Sequence, residues 1–86
     1  MLEKKVTVCN ETGIHARPAG VIAQRASQYK SDIVIVHKDE EYDAKSIISV
    51  MAMAADMGDE LIIRTEGADE EEALNGMESL ILNELK

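Results

Sequence analysis

The order of short strand-type and helix-type patterns along the 86 residues constrains the fold most strongly. Apolar patterns predict strands at Lys5–Cys9, Ile33–Val36 and Leu61–Thr65, and the short turn at His37–Glu40 predicts a second strand arm at Glu41–Asp43. The first two predicted helices run from Ala16 to about Gln28 and from Ile47 to about Met57. The last helix is predicted to turn inward Ala73, Leu74, Met77, Leu80, Ile81 and Leu85. The order β-α-β-β-α-β-α predicts an α+β fold, a two-layer sandwich with an antiparallel sheet and helices on one face.

Residues with known preferences for helix ends set the predicted boundaries. Pro18 suits the first turn of the first helix, because its missing N–H is not needed there. Ser46 is expected to cap the start of the second helix, and Gly58 its end. Asp69 and Glu72 have the spacing of a capping box, so the last helix is predicted to begin there.

Composition excludes several classes of function. The chain is predicted to be a single domain, residues 1–86, with an aliphatic core, because 45% of residues are apolar and only 2% are aromatic. A net charge of -8 and two tyrosines argue against nucleic-acid binding. The single cysteine, Cys9, cannot form an internal disulfide, which fits a reducing cytosol. No apolar run approaches the roughly 20 residues of a membrane span, and the start lacks a secretory-signal pattern. We therefore expect a cytoplasmic protein without membrane insertion.

The stretch GIHARP, from Gly13 to Pro18, places a histidine and an arginine at the start of a predicted helix. A neutral imidazole such as that of His15 is a nucleophile. The unpaired N–H groups and positive dipole end of a helix bind anions. Arg17 adds a planar cation suited to phosphate oxygens, Ala16 leaves the backbone accessible, and Pro18 fixes the helix start. This arrangement indicates a site that accepts a phosphoryl group and passes it on.

The residues alone also allow simpler interpretations. His15 can be a solvated loop side chain, with Arg17 an unrelated neighbour. A metal site is disfavoured, because the other histidine, His37, lies on a different element and is expected to be exposed at a strand end. Cys9 has no cysteine partner and is expected to be a packed thiol. Nothing in the residue order marks the base and acid that serine-type hydrolysis needs.

GIHARP resembles the active-site motif of the HPr family, the histidine-containing phosphocarriers of the bacterial phosphoenolpyruvate:sugar phosphotransferase system. The resemblance covers the whole chain and includes AKSI at Ala44–Ile47 and GADEEEAL at Gly67–Leu74. It implies an open-faced sandwich with strand order 1-4-2-3 and three helices on one side. It also implies that His15 accepts a phosphoryl group on Nδ1 from enzyme I and passes it to the IIA domain of a sugar permease, while Arg17 stabilises the phosphate. Such a protein is a carrier without turnover of its own, and the resemblance implies no metal or cofactor.

The resemblance implies a second, regulatory role for Ser46. In many Gram-positive members of the family, a dedicated kinase phosphorylates the serine at this position. The phosphate would add about two negative charges to the docking surface. It would hinder acceptance from enzyme I and favour a transcription-regulator partner, as in catabolite repression. A serine kinase/phosphorylase and a transcription regulator are therefore possible partners.

The second predicted helix has more apolar residues than a short helix can bury, so some are expected to form a docking patch. The candidates are Ile47, Ile48 and Met51, extended on the first helix by Ala19, Gly20 and Ala23. The chain departs from the common family pattern in this region. Isoleucine replaces methionine at Ile48, Ser49 and Ala54 replace glycines, and Gly20 stands where a larger residue is frequent. These departures concern partner choice rather than phosphoryl chemistry.

Two alternative hypotheses stay open. One is a regulatory HPr-like protein that binds a transcription factor or metabolic enzyme under the control of Ser46, without a major role in sugar uptake. The other is a generic α+β domain for a small ligand or for oligomerisation, with the motif a coincidence. Nothing in the sequence calls for more than a monomer.

Overall fold

The computed structural model describes residues 1–85. Its four strands are β1 (Leu2–Thr7), β2 (Asp32–His37), β3 (Glu40–Asp43) and β4 (Glu60–Glu66). Its three α-helices are α1 (Ala16–Ala26), α2 (Ile47–Met53) and α3 (Glu70–Ser79), and α3 continues into a π-helical turn at Leu80–Glu84. In this described part, no helix is long and apolar enough to cross a bilayer.

The strands form one antiparallel sheet in the order β1-β4-β2-β3. Side chains alternate along β2 and β4, so that Ile33, Ile35, Leu61 and Ile63 are buried while their neighbours face the open side of the sheet. The buried strand residues form one aliphatic core with the buried faces of the helices. The α+β sandwich and the strand order 1-4-2-3 are therefore confirmed.

The first strand and helix have different limits from those predicted. Strand β1 covers residues 2–7 rather than 5–9, because the longer β4 also pairs with the chain start, from Leu2 opposite Thr65 to Thr7 opposite Glu60. Helix α1 ends at Ala26 rather than Gln28. The N–H and hydroxyl of Ser27 both donate to the Ala23 carbonyl. The next N–H, that of Gln28, donates to the Arg25 carbonyl only three residues back, so the α-helical bond pattern has ended.

Helix α2 is one turn shorter than predicted. It ends at Met53, and Ala54 (φ 49°) takes the left-handed conformation predicted for a glycine C-cap. Gly58 is therefore not the cap; it lies in the turn before β4, where its N–H donates to the Val8 carbonyl. Because α2 ends before Ala55, the Ala55 carbonyl is free to accept the Ile14 N–H at 2.8 Å.

The start of α3 is correctly placed, but the predicted capping box is wrong. The Asp69 carboxylate makes no cap bond in α3 and instead accepts the N–H groups of Lys30 (2.9 Å) and Ser31 (2.8 Å) and the Ser31 hydroxyl. These bonds, the Ser31 hydroxyl first, lower the pKa of Asp69 to about 2. Glu70, not Glu72, reaches back, accepting the Gly67 N–H at 3.2 Å.

Candidate functional site

A tight turn from Asn10 to Gly13 shapes the loop between β1 and α1. The Gly13 N–H donates to the Asn10 carbonyl at 3.0 Å, and the Asn10 side-chain amide donates to the Gly13 carbonyl. Gly13 has φ 69°, and a Cβ at this position would lie 2.6 Å from the Ala55 carbonyl oxygen. Both the left-handed backbone and the close approach require glycine here.

The same loop is attached to the segment that follows α2. Ile14 is buried in the core, and its N–H donates to the Ala55 carbonyl. The next residue, His15, is exposed and is the N-cap of α1, with its carbonyl accepting the Ala19 N–H at 2.8 Å. The fold thus anchors Ile14 and presents His15 at the surface.

The imidazole of His15 has one hydrogen-bond partner among residues 1–85. Its Nε2 lies 3.1 Å from the hydroxyl oxygen of Thr12. When Nε2–H donates to this hydroxyl, the lone pair of the neutral ring is on Nδ1. Nδ1 is then the nitrogen with nucleophilic character, and the exposed ring is accessible to a second macromolecule.

Arg17 and the C-terminal segment complete a concave surface around His15. A cavity of about 420 Å³ is lined by Thr12, His15, Arg17, Pro18, Val21, Glu84 and Leu85. Arg17 is exposed, and its guanidinium forms no ion pair with the carboxylates of residues 1–85. The Glu84 carboxylate is bound by Arg25 at 2.7 Å, so its charge is matched by another cation.

The GIHARP residues come together at the start of α1 as predicted. Ala16, Arg17 and Pro18 are its first three residues, and Pro18 is buried in the first turn. The N–H groups of Ala16 and Arg17 precede the first intrahelical hydrogen bond, and they lie at the positive end of the 11-residue helix. This is a suitable environment for an anion beside the imidazole.

Ser46 caps α2, which confirms its predicted structural role. Its side-chain oxygen accepts the Ser49 N–H at 3.2 Å. The hydroxyl of Ser49 in turn accepts the Asp43 N–H at 2.9 Å. Ser49, one of the departures from the family pattern, therefore attaches α2 to the end of β3.

Only part of the predicted docking patch is at the surface. Ile47, Ile48 and Met51 are 46%, 79% and 44% exposed. Gly20 is half-buried beside Ile47, whose Cδ1 would lie 3.5 Å from a Cβ at Gly20. We refer to Gly20, Ile47, Ile48 and Met51 as the apolar patch.

The extension of the patch through Ala19 and Ala23 is wrong, because both side chains are buried against the rest of the chain. The large exposed apolar residues outside the prediction are Val21, Met57 and Met1. Val21 follows Arg17 by four residues, so helical spacing would have placed it on the face of Arg17.

Cys9 and His37 also differ from expectation. Cys9 is half-exposed rather than packed, with its thiol donating to the Thr7 carbonyl at 3.3 Å. His37 is 4% exposed rather than solvated, and its Nε2 lies 2.9 Å from a carboxylate oxygen of Asp59. Within residues 1–85, no three His, Cys, Asp or Glu side chains lie close enough to hold a metal ion.

Comparison with known proteins agrees with this geometry. The family model described as "PTS HPr component phosphorylation site" matches residues 2–83. The phosphocarrier protein HPr of Treponema pallidum (strain Nichols) is 46% identical over 86 residues, which are 100% of this chain and 98% of that protein.

Solved structures also match over nearly the whole chain. The crystal structure of HPr-C-His from Thermoanaerobacter tengcongensis has a TM-score of 0.90 and 37% identity, and covers 94% of this chain and 91% of that chain. Crh, the Bacillus subtilis catabolite repression protein, was crystallised as a domain-swapped dimer; it has a TM-score of 0.79 and 34% identity, and covers 100% of this chain and 99% of its own. The chain therefore belongs to the HPr family, the phosphocarriers of the phosphotransferase system, and is a phosphoryl carrier rather than an enzyme in its own right.

Proposed function

We propose that the chain accepts a phosphoryl group on Nδ1 of His15 from enzyme I and passes it to the IIA domain of a sugar permease. The observation that carries this proposal is the exposed His15 ring at the start of α1, with Nε2 bonded to Thr12 and Nδ1 left for the reaction. In the accepting step, the Nδ1 lone pair forms a bond to phosphorus. The bond from phosphorus to enzyme I breaks, and its electron pair stays with enzyme I. The donating step reverses these roles.

The surroundings of His15 favour negative charge during both transfers. The phosphoryl oxygens would meet the N–H groups of Ala16 and Arg17, which are aligned with the helix dipole. The exposed guanidinium of Arg17 lines the same cavity and can bind two phosphate oxygens at once. Preorganised donors of this kind stabilise a transfer because they need no rearrangement when charge develops.

The apolar patch is the proposed docking surface for enzyme I and the IIA domain. Ile48 is the most exposed large apolar residue of the patch, and substitution there affects little of the core. Ile47 Cδ1 would lie 3.5 Å from a Cβ at Gly20, so the patch extends from α2 to α1, the helix whose N-cap is His15. Exposed apolar residues of this kind are typical of interaction sites.

Regulation through Ser46 is a second proposed function, supported by its position at the start of α2, next to Ile47. A phosphate on Ser46 would be stabilised by the helix terminus and would place about two negative charges beside the apolar patch. A serine kinase/phosphorylase would control this state, and a transcription regulator would bind it. In this form the chain would act in catabolite repression, the process after which the similar protein Crh is named.

We further propose that the chain acts as a monomer in the cytoplasm, where its phosphotransferase partners would meet it. The aliphatic core is completed by residues of one chain. The dimeric state of Crh supplies the alternative, in which two copies exchange a segment. Light scattering during gel filtration distinguishes the two by mass.

Reconstitution of the relay tests the proposed function. Phosphoenolpyruvate, enzyme I and a IIA domain of the same organism are incubated with and without the chain, and phosphate on the IIA domain is measured. The wild-type chain is expected to support transfer, His15→Ala to abolish it, and Arg17→Ala to slow it about tenfold or more. Gln24→Ala, an exposed α1 position outside the cavity, is the control. Transfer to the IIA domain through His15→Ala at the wild-type rate would contradict the proposal.

A further inference from the structure

His37 is the last residue of β2 and lies on the core side of the sheet. It follows Ile33 and Ile35 at the two-residue spacing of a strand, and all three side chains are buried. The imidazole Nε2 lies 2.9 Å from Oδ2 of Asp59. An ionised carboxylate only accepts hydrogen bonds, so Nε2 carries the proton and donates to Asp59.

The carboxylate of Asp59 closes the turn that precedes β4. The oxygen that binds His37 also accepts the N–H of Asp56 at 2.9 Å, and the Asp59 N–H donates back to the Asp56 carbonyl at 3.0 Å. Two further bonds of 2.9 Å join this turn to Val8: Gly58 N–H to the Val8 carbonyl, and Val8 N–H to the Asp59 carbonyl.

The residue before this turn is the one that holds the site loop. Ala55 is buried, and its carbonyl accepts the Ile14 N–H at 2.8 Å, next to His15. A continuous path of hydrogen bonds and covalent neighbours therefore runs from His37 through Asp59 and Ala55 to Ile14.

The charge of Asp59 strengthens this path. The N–H of Asp56 and, next, the His37 side chain hold the pKa of Asp59 below its ordinary value. Asp59 is consequently an anion at neutral pH. Hydrogen bonds to an ionised acceptor are stronger than those between neutral groups.

We infer that His37 is a positioning residue for His15: through Asp59, it holds the 55–59 segment in the conformation that anchors Ile14. The inference rests on the proposed role of His15 as the phosphoryl acceptor. His37 does not line the His15 cavity, and it lies on β2, whereas the apolar patch lies on α1 and α2. Its loss should therefore alter the alignment of His15 rather than the docking of partners, and phosphoryl transfer is sensitive to displacements of about 1 Å.

Hydrogen exchange of the Ile14 amide in the isolated protein tests the path without any partner. His37→Leu removes the donor to Asp59, whereas His37→Gln places an amide N–H where Nε2 was. We expect His37→Leu to lower the protection of the Ile14 amide, relative to that of Ile63 in the core, by at least about tenfold, and His37→Gln to restore most of it.

Thr65→Val is the matched control for general loss of stability. Thr65 is also buried and polar, donating to the Glu70 carbonyl at 2.8 Å, but it lies opposite Leu2, at the far end of the sheet from the loop. Thr65→Val should lower the hydrogen-exchange protection of the Ile14 and Ile63 amides by similar factors. Asp59→Ala, at a half-exposed position, gives a second test if His37→Leu does not fold.

The rate of His15 phosphorylation by phosphoenolpyruvate and enzyme I is measured on the same variants. We expect His37→Leu to lower kcat about tenfold. KM should change little, because the apolar patch is unaltered. The inference is overturned if Ile14 loses no more protection than Ile63, or if it loses protection while phosphorylation keeps its wild-type rate. If the wild-type chain is itself not phosphorylated, the proposed function fails, while the exchange comparison still decides whether His37 holds the loop.

Discussion

The Thr12 hydroxyl oxygen lies 3.1 Å from Nε2 of His15, three residues along the same loop. This contact occupies Nε2 of an otherwise exposed imidazole and leaves Nδ1 without a hydrogen-bond partner among residues 1–85. Thr12 is itself held in place by the hydrogen-bonded turn from Asn10 to Gly13. The loop thus orients the ring without burying it.

Removing the Thr12 hydroxyl should slow phosphorylation of His15. Thr12→Val keeps the shape of the side chain but not its hydrogen bond, so the ring loses the contact that orients it. A net hydrogen-bond contribution of about 1 kcal/mol corresponds to a rate lowered several-fold. The phosphorylation rate by phosphoenolpyruvate and enzyme I measures the effect, and Thr12→Ser should restore it. Equal rates for Thr12→Val and the wild type would exclude this role.

Gly13→Ala should destabilise the fold more than Gly58→Ala. Both positions have positive φ, which costs alanine about 1–2 kcal/mol. At Gly13 the added Cβ would also lie 2.6 Å from the Ala55 carbonyl, whereas no atom lies within 4 Å at Gly58. The overlap should cost about 1–3 kcal/mol more, measured as the free energy of unfolding in urea. An equal decrease in the free energy of unfolding for the two variants would show that Gly13 is not in close contact with Ala55.

Two substitutions separate the structural and regulatory roles of Ser46. Ser46→Ala removes the cap that accepts the Ser49 N–H, so it should lower the free energy of unfolding by about 1 kcal/mol. Ser46→Asp keeps a capping oxygen and adds a negative charge, so it should preserve stability while slowing phosphorylation by enzyme I. Unfolding curves and initial rates on both variants provide the measurements. A wild-type rate for Ser46→Asp would remove the support for regulation at this position.

Acid should weaken the fold through Asp69. Its pKa is about 2 in the folded chain, against an ordinary value of 3.8, because Ser31 and Lys30 bind the carboxylate. The folded state therefore binds a proton less readily than the unfolded state. The stabilisation is fully present above about pH 4 and is lost as the pH falls toward about 2.

Urea unfolding of the wild type and Asp69→Asn between about pH 5 and about pH 2 measures this contribution. The stability difference between the two proteins should shrink as the pH falls. Glu71→Gln, at an exposed neighbouring position, should show no such trend. A difference that is independent of pH would contradict the assignment to the ionised Asp69.

The element order, the aliphatic core and the GIHARP stretch could be predicted from sequence, because each depends on local spacing. The end of α2 could not, because Ala54 adopts a left-handed conformation so that Ala55 can bind Ile14. This is a tertiary requirement that outweighs the preference for glycine at a helix end. The role of Asp69 was missed for a similar reason, since its partners, Lys30 and Ser31, lie in a distant part of the chain.

Burial on the helices and at strand ends was also predicted incompletely. Ala19 and Ala23 are small and apolar, and such residues are equally suited to a docking patch and to close packing against the core. In the structure both side chains are buried. A strand that ends at Val36 predicts that His37 is exposed, but β2 includes His37. One more residue of alternation would have placed it on the core side with Ile33 and Ile35.

Intact-mass measurement of the wild type and His15→Ala, after incubation with phosphoenolpyruvate and enzyme I, shows whether His15 accepts the phosphoryl group. We expect the wild-type chain to gain the mass of one phosphoryl group and His15→Ala to gain nothing. Mild acid should remove the group, because the phosphorus–nitrogen bond is labile. An equal gain in His15→Ala, or a phosphoryl group that withstands acid, would contradict the proposed role of His15.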